Sequence, residues 1–143
     1  MYITLESDYA IRIVSVLCCT KGRLEAKVIA DKASVSLRFA LKILRGLVNA
    51  GIVKSYKGAK GGYEINGDPE DITLRAVIES IEGTYYFSRC LSEQFGCNRG
   101  MSGKCCYQRA FDDISQTVRE ELERYNFADL IGMSEEKRDY NEI

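Results

Sequence analysis

The chain contains no histidine and a single proline in 143 residues. The first absence excludes much common chemistry. Without imidazole there is no Ser-His-Asp triad, no Cys-His nucleophile pair and no histidine metal ligand. No pair of acids stands beside a nucleophile either, so an enzyme is not expected. Long apolar runs are also missing, and none approaches the roughly 18 residues needed to cross a bilayer. The opening Met1-Tyr2-Ile3-Thr4-Leu5-Glu6 lacks a basic region and an apolar signal core, which makes a cytoplasmic protein with no membrane contact the expectation. Net charge is nearly absent too, at -1.

What is present is unevenly placed. Residues 21–60 carry ten Lys or Arg (21, 23, 27, 32, 38, 42, 45, 54, 57 and 60) against two acids, a local charge of +8. The remaining residues carry ten bases and nineteen acids, or -9. A segment this basic is an electrostatic footprint for a polyanion, or else a solvated lysine-rich face. Its position on the secondary structure decides between the two. The 45% hydrophobic content suffices for one globular domain, with or without a small extension.

Tyr9, Ile13, Val16 and Leu17 recur at helical spacing, predicting a helix over Ser7–Thr20 with Ser7 or Asp8 as its cap. A short helix is expected over Ala26–Ala33. Ser34-Val35 then makes a tight turn, and Ser36 caps a third helix that ends at Asn49-Ala50-Gly51. Two helices joined so briefly fit a helix-turn-helix. On the third helix Leu37, Leu41, Leu44 and Val48 form an apolar stripe expected to face the core. Arg38, Lys42, Arg45 and Asn49 repeat that spacing one residue later, about 100° around the helix. A helix docked in a major groove needs such an arrangement.

Ile52–Tyr56 and Tyr63–Asn66 read as strands around the glycine-rich tip Lys57-Gly58-Ala59-Lys60-Gly61-Gly62, a β-hairpin placed as a wing. A short helix is expected over Thr73–Glu82, stopped by Gly83. Periodicity then disappears until Tyr107, from where Phe111, Ile114, Val118, Leu122 and Tyr125 mark a long amphipathic helix. Such a helix outside the DNA-binding unit most simply packs on a twin. The fold expected is therefore mainly α with a small β-hairpin. It divides into a winged helix-turn-helix over 1–83, a cysteine-rich loop over 84–106, a dimerisation helix over 107–130 and a C-terminal tail over 131–143.

The six cysteines form two groups. Cys18 and Cys19, within the first helix, are expected to be small buried side chains. Cys90, Cys97, Cys105 and Cys106 crowd into seventeen residues of aperiodic loop. In a reducing compartment such crowding favours metal binding or redox chemistry over structural disulfides. Thiolates suit an iron–sulfur cluster; zinc comes second, because intervals of six and seven residues exceed the usual CxxC knuckles. Arg89, Arg99 and Lys104 are placed to offset the negative charge of such a centre.

The ordered landmarks Ser7-Asp8-Tyr9-Ala10-Ile11-Arg12, Val28-Ile29-Ala30, Val35-Ser36-Leu37, Leu47 to Val53, Lys57 to Tyr63, Asp71 to Leu74, and Val77-Ile78 through Ile81-Glu82-Gly83 together resemble the Rrf2 family of bacterial transcriptional regulators. The resemblance covers nearly all of residues 1–130. It implies a winged helix-turn-helix, a long dimerisation helix and homodimers on pseudo-palindromic double-stranded DNA. It implies that Ser36, Arg38 and Phe39 face the major groove, with Lys42 one turn on, and that Lys57 occupies the wing tip, where arginine is common. Arg38 suits a bidentate guanine contact, worth roughly 1–3 kcal/mol of base discrimination. Lys42, Arg45 and Lys60 suit phosphates.

Many members of the family hold an iron–sulfur cluster (2Fe–2S or 4Fe–4S) through three cysteines. Here the resemblance assigns Cys90, Cys97 and Cys105, with Cys106 an alternative third ligand. The histidine that completes one branch's cluster is replaced by Gln108. The aspartate that completes another, the nitric-oxide-sensing branch, matches Asp8 of the partner subunit, although Asp8 also suits helix capping. The leading expectation is a repressor that senses redox state, nitric oxide or iron–sulfur status through this cluster. A cluster-free thiol switch using Cys105 and Cys106 is the first alternative, and a small iron–sulfur electron carrier the second.

Overall fold

The computed structural model describes residues 2–133. Its elements are α1 (Leu5–Cys19), α2 (Ala26–Ala33), α3 (Leu37–Asn49), β1 (Val53–Tyr56), β2 (Gly62–Ile65), α4 (Leu74–Glu82), α5 (Cys106–Glu123) and α6 (Phe127–Met133), with short 3-10 turns at Pro69–Asp71 and Arg89–Leu91. The predominantly helical fold with one antiparallel hairpin is the expected one, and the boundaries up to residue 83 agree within about three residues.

Two details of α1 differ from the expectation. Its cap is Thr4, whose hydroxyl accepts from the Ser7 N–H, not Ser7 or Asp8. Ser7 lies one turn inside, fully buried, and its hydroxyl donates to the Glu82 carboxylate. Thr4 donates to the same oxygen from both its N–H at 2.9 Å and its hydroxyl at 2.8 Å. Three donors thus tie the start of α1 to the end of α4. Burial works to raise the Glu82 pKa, but the hydrogen bonds from Ser7 and Thr4 together outweigh it, and the carboxyl titrates below its ordinary value.

The core joins α1 (Ala10, Ile13, Val14, Val16, Leu17), α2 (Ile29, Ala30), α3 (Ala40, Ile43, Leu44, Leu47), β1 (Val53), α4 (Val77) and α6 (Phe127). On α3 the expected core stripe is rotated. Leu44 is buried and Val48 packs on the core, but Leu37 and Leu41 are 44% and 41% exposed. Ala40, Ile43 and Leu47 take their place, a shift of about 80° around the helix. This puts the buried face diametrically opposite Arg38, Lys42, Arg45 and Asn49.

The helix-turn-helix pivots at Ser34, which caps α2 in the left-handed region (φ 55, ψ 47) and donates its N–H to the carbonyls of Ala30 and Asp31. The hairpin pairs Val53 with Ile65 and Tyr56 with Gly62. It gains a third edge that the sequence reading did not foresee: Leu24 and Tyr63 exchange backbone hydrogen bonds of 2.8 and 2.9 Å. Gly62, at φ 141, is where this edge passes, and a Cβ there would lie 2.6 Å from the Leu24 carbonyl oxygen. Gly58 supplies the positive φ at the tip, whereas Gly61 is needed for room rather than for its φ.

The long helix stops at Glu123, short of the expected 130. Tyr125, Asn126 and Phe127 instead pair with the Ile72–Leu74 segment. Leu74 N–H donates to the Tyr125 carbonyl and Phe127 N–H to the Ile72 carbonyl, both at 2.9 Å. This turn drives Phe127 into the core and starts α6, which takes in residues 131–133 of the expected tail. The rest of that tail, 134–143, lies outside the described residues. Among the described residues no helix is long and apolar enough to cross a membrane.

Candidate nucleic-acid interface and thiol loop

The exposed edge of α3 begins at its cap. Ser36 accepts from the Phe39 N–H at 3.4 Å, fixing the first turn. Arg38, Lys42, Arg45 and Asn49 follow along one exposed edge. Phe39, half-exposed, sets its ring edge-on to Tyr9 with centroids 6.0 Å apart. Lys57 and Lys60 are exposed on the wing. Among the described residues Arg38, Arg45, Lys57 and Lys60 have no acidic side chain in salt-bridge range. Lys42 does: its ammonium lies 2.5 Å from Glu6 Oε1 on α1.

Arg23 is a wing residue that the sequence reading counted only as charge. Its guanidinium stacks 3.4 Å over the centre of the Tyr56 ring, and it donates to the Lys60 carbonyl at 3.2 Å. Tyr56 in turn donates to Glu64 at 2.5 Å. The tip carrying Lys57 and Lys60 is thereby braced from the segment before α2. An Arg four residues after the end of α1 carries no local signal of this, because its partners lie more than thirty residues further along.

The loop from 84 to 105 is fastened to α5 at both ends. Phe87 N–H donates to Ser115 Oγ at 2.8 Å, Phe87 packs on Phe111 with centroids 5.3 Å apart, and Arg119 donates to the Tyr85 carbonyl at 3.1 Å. Gln108 fastens the other end: its amide donates to the Cys90 carbonyl at 3.2 Å and accepts from Gly103 N–H at 2.8 Å. The residue that replaces a histidine is therefore a brace for the loop.

Cys90 sits in the 3-10 turn, its sulfur 3.3 Å from Ser88 Oγ. Cys105 occupies the capping position of α5 and lines a shallow cleft of about 320 Å³ with Gln108, Arg109 and Asp112. Cys106 is exposed and begins α5, placing it inside the helix where the loop had been expected to continue. Cys97 starts a turn closed by Gly100 N–H on its carbonyl. The N–H groups of Met101 and Arg99 hold its thiol below the ordinary cysteine value against desolvation, with smaller help from the Arg99 charge and the Gly100 N–H. Cys18 is the opposite case: burial first, then the neighbouring Cys19, pushes its thiol up to about 12.

The donor chemistry of four thiols suits an iron–sulfur cluster, but their placement in the single chain does not. Among the described residues no three Cys, Asp or Glu side chains converge on a point that would hold a metal. Asp8 is committed to Arg12 of its own helix at 2.6 Å. Arg89 lies over the Phe95 ring, 5.0 Å from its centroid.

The Rrf2 family of transcriptional regulators, described as iron-dependent, matches residues 3–133. The chain belongs to the Rrf2 family. The transcriptional regulator NsrR of Bacillus subtilis is 26% identical over 141 residues, which cover 95% of this chain and 94% of that one. A transcriptional regulator from Listeria innocua of solved structure is 31% identical, with a TM-score of 0.73 over 94% of this chain and 88% of that one. The structure of CymR, the global cysteine regulator of B. subtilis, is 26% identical, with a TM-score of 0.71 over 94% of this chain and 99% of that one. In an Rrf2 protein the helix-turn-helix and wing are the DNA-binding unit. The basic edge of α3 and the Arg23-braced wing tip lie on that unit.

Proposed function

We propose that this Rrf2 regulator binds double-stranded, pseudo-palindromic DNA as a homodimer and represses transcription, with its affinity set by the loop thiols. The observation that carries the reading is the position of the basic edge of α3, opposite the buried face and beside a wing bearing two exposed lysines. In this reading Arg38 and Phe39 meet base edges in the major groove. Ser36 holds the helix N-terminus in register. Lys42, Arg45 and Lys60 meet phosphates, and Lys57 enters the minor groove. The homodimer is supported by α5, whose apolar stripe is only half used: Tyr107 and Ile114, two turns apart, stay exposed on one edge.

The sensing step is read as thiol chemistry. Cys97 has a thiol acidified by backbone donors, which favours attack on peroxides, disulfides or nitrosating agents. The loop containing it is pinned to α5 at Phe87 and Gln108, so a change at Cys97 bears on the helix that carries the dimer contact. An electron carrier would leave the basic edge and wing without a role, and we do not adopt it. The iron–sulfur reading has its own support, namely four loop cysteines and a family described as iron-dependent. In that reading Cys90, Cys97 and Cys105 (or Cys106) of one protomer would hold the cluster, with Asp8 of the partner subunit completing the set.

Operator selection from a random duplex pool, followed by binding of reduced and peroxide-treated protein, tests the function. Arg38→Ala is expected to relax preference at one base pair by roughly 1–3 kcal/mol. Lys60→Ala is expected to weaken all duplexes alike and flatten the salt dependence. Peroxide treatment is expected to change affinity in wild type and not in Cys97→Ser. Stoichiometric iron and sulfide in protein purified without air would favour the cluster reading instead.

A further inference from the structure

One cation of the candidate DNA face is already paired. Lys42 lies mid-way along the exposed edge of α3, and its partner Glu6 comes from a different element, the first turn of α1. The other four cations of that face have no acidic side chain in range among the described residues. Both members of the pair are solvent-exposed, so it contributes little to holding the fold together. Its location gives it another consequence. A carboxylate seated on a lysine ammonium occupies the place a phosphate oxygen would take, and it repels the phosphates around it.

We propose that Glu6 is an internal phosphate mimic that holds down sequence-independent DNA affinity through Lys42. This rests on the reading of α3 as the DNA-facing helix. When Lys42 exchanges Glu6 for a phosphate, the freed carboxylate stays at the interface and the local net charge does not change. Little counterion is released, so the contact adds little to the salt-dependent affinity. Arg45 and Lys60 have no such competitor and carry the full electrostatic contribution. Glu6 therefore limits how firmly the protein is held on DNA wherever base contacts do not assist.

Fluorescence anisotropy with a labelled random-sequence duplex tests this on the full chain, in a salt series, for wild type, Glu6→Gln, Lys42→Ala and the double variant. Glu6→Gln is expected to bind roughly two- to fivefold tighter at low salt. Its log K against log salt should steepen by about 0.9 for each protomer bound. In the Lys42→Ala background the same substitution should change neither quantity. Equal affinity and slope for wild type and Glu6→Gln would overturn the proposal, as would an equal gain with Lys42 absent, which would mark a bulk charge effect. A wild-type protein without salt-dependent DNA affinity would instead sink the DNA-binding reading, and this inference with it.

Discussion

Gly62 shows how a single residue sets the position of the wing. Its φ of 141 and the 2.6 Å separation between a built Cβ and the Leu24 carbonyl oxygen leave no room for a side chain. Gly62→Ala must either push Leu24 away, breaking the bridge to Tyr63, or distort β2. The expected cost is about 1–3 kcal/mol, read as a lower denaturant midpoint with an unchanged slope. Glu82 offers a second test, through pH. Its folded carboxyl titrates below the unfolded one, so its contribution is full above the ordinary glutamate value of about 4.3 and lost as pH falls through the folded value. Wild type should therefore lose stability on acidification faster than Glu82→Gln, as seen by circular dichroism across an acid titration. Gln108 carries a similar lesson. As a ligand position it reads as a defect, and as a bridge between Cys90 and Gly103 it is hydrogen-bonded through both its amide nitrogen and its oxygen.

At the scale of elements, local signals predicted α1 to α4 and the hairpin well, because caps, glycines and periodicity agreed there. Ser36 and Gly83 cap and close the helices they were expected to, and Thr73, expected as the first residue of α4, is its cap. The misses have specific physical causes. Ser7 and Asp8 are good caps in isolation, but the Ser7 hydroxyl is needed by Glu82, seventy-five residues away. On α3 two apolar series overlap at Leu44, and periodicity alone does not choose between them. The helix buries Ala40, Ile43, Leu44 and Leu47 and leaves Leu37 and Leu41 at the flank. The end of α5 was illegible because the apolar spacing continues through Tyr125, while the chain leaves the helix to pair with Ile72 and Leu74. Crowding alone marked the cysteine loop as a candidate site. How the loop is held was not legible, since its geometry depends on distant anchors such as Ser115.

For the whole molecule, the half-used stripe of α5 and the basic edge of α3 belong together. Two recognition helices must be held at a fixed separation to read a two-fold site, and in the proposed homodimer the exposed Tyr107 and Ile114 edge of α5 is the surface that would hold them. Ile114→Glu is expected to shift the mass seen by analytical ultracentrifugation from dimer to monomer while the helical spectrum is kept. An unchanged dimer would place the interface elsewhere. The near-neutral chain also resolves at this scale: an acidic remainder keeps the net charge low while a +8 segment runs from the end of α1 through α2 and α3 to the wing. The most direct test of that division is the salt dependence of wild-type binding to a selected operator duplex. In the proposed homodimer Arg45 and Lys60, which have no acidic partner among the described residues, would give four phosphate contacts. The account predicts that log K falls with log salt with a slope of about -3.5 or steeper. A slope near zero, or no measurable binding at low salt, would contradict it.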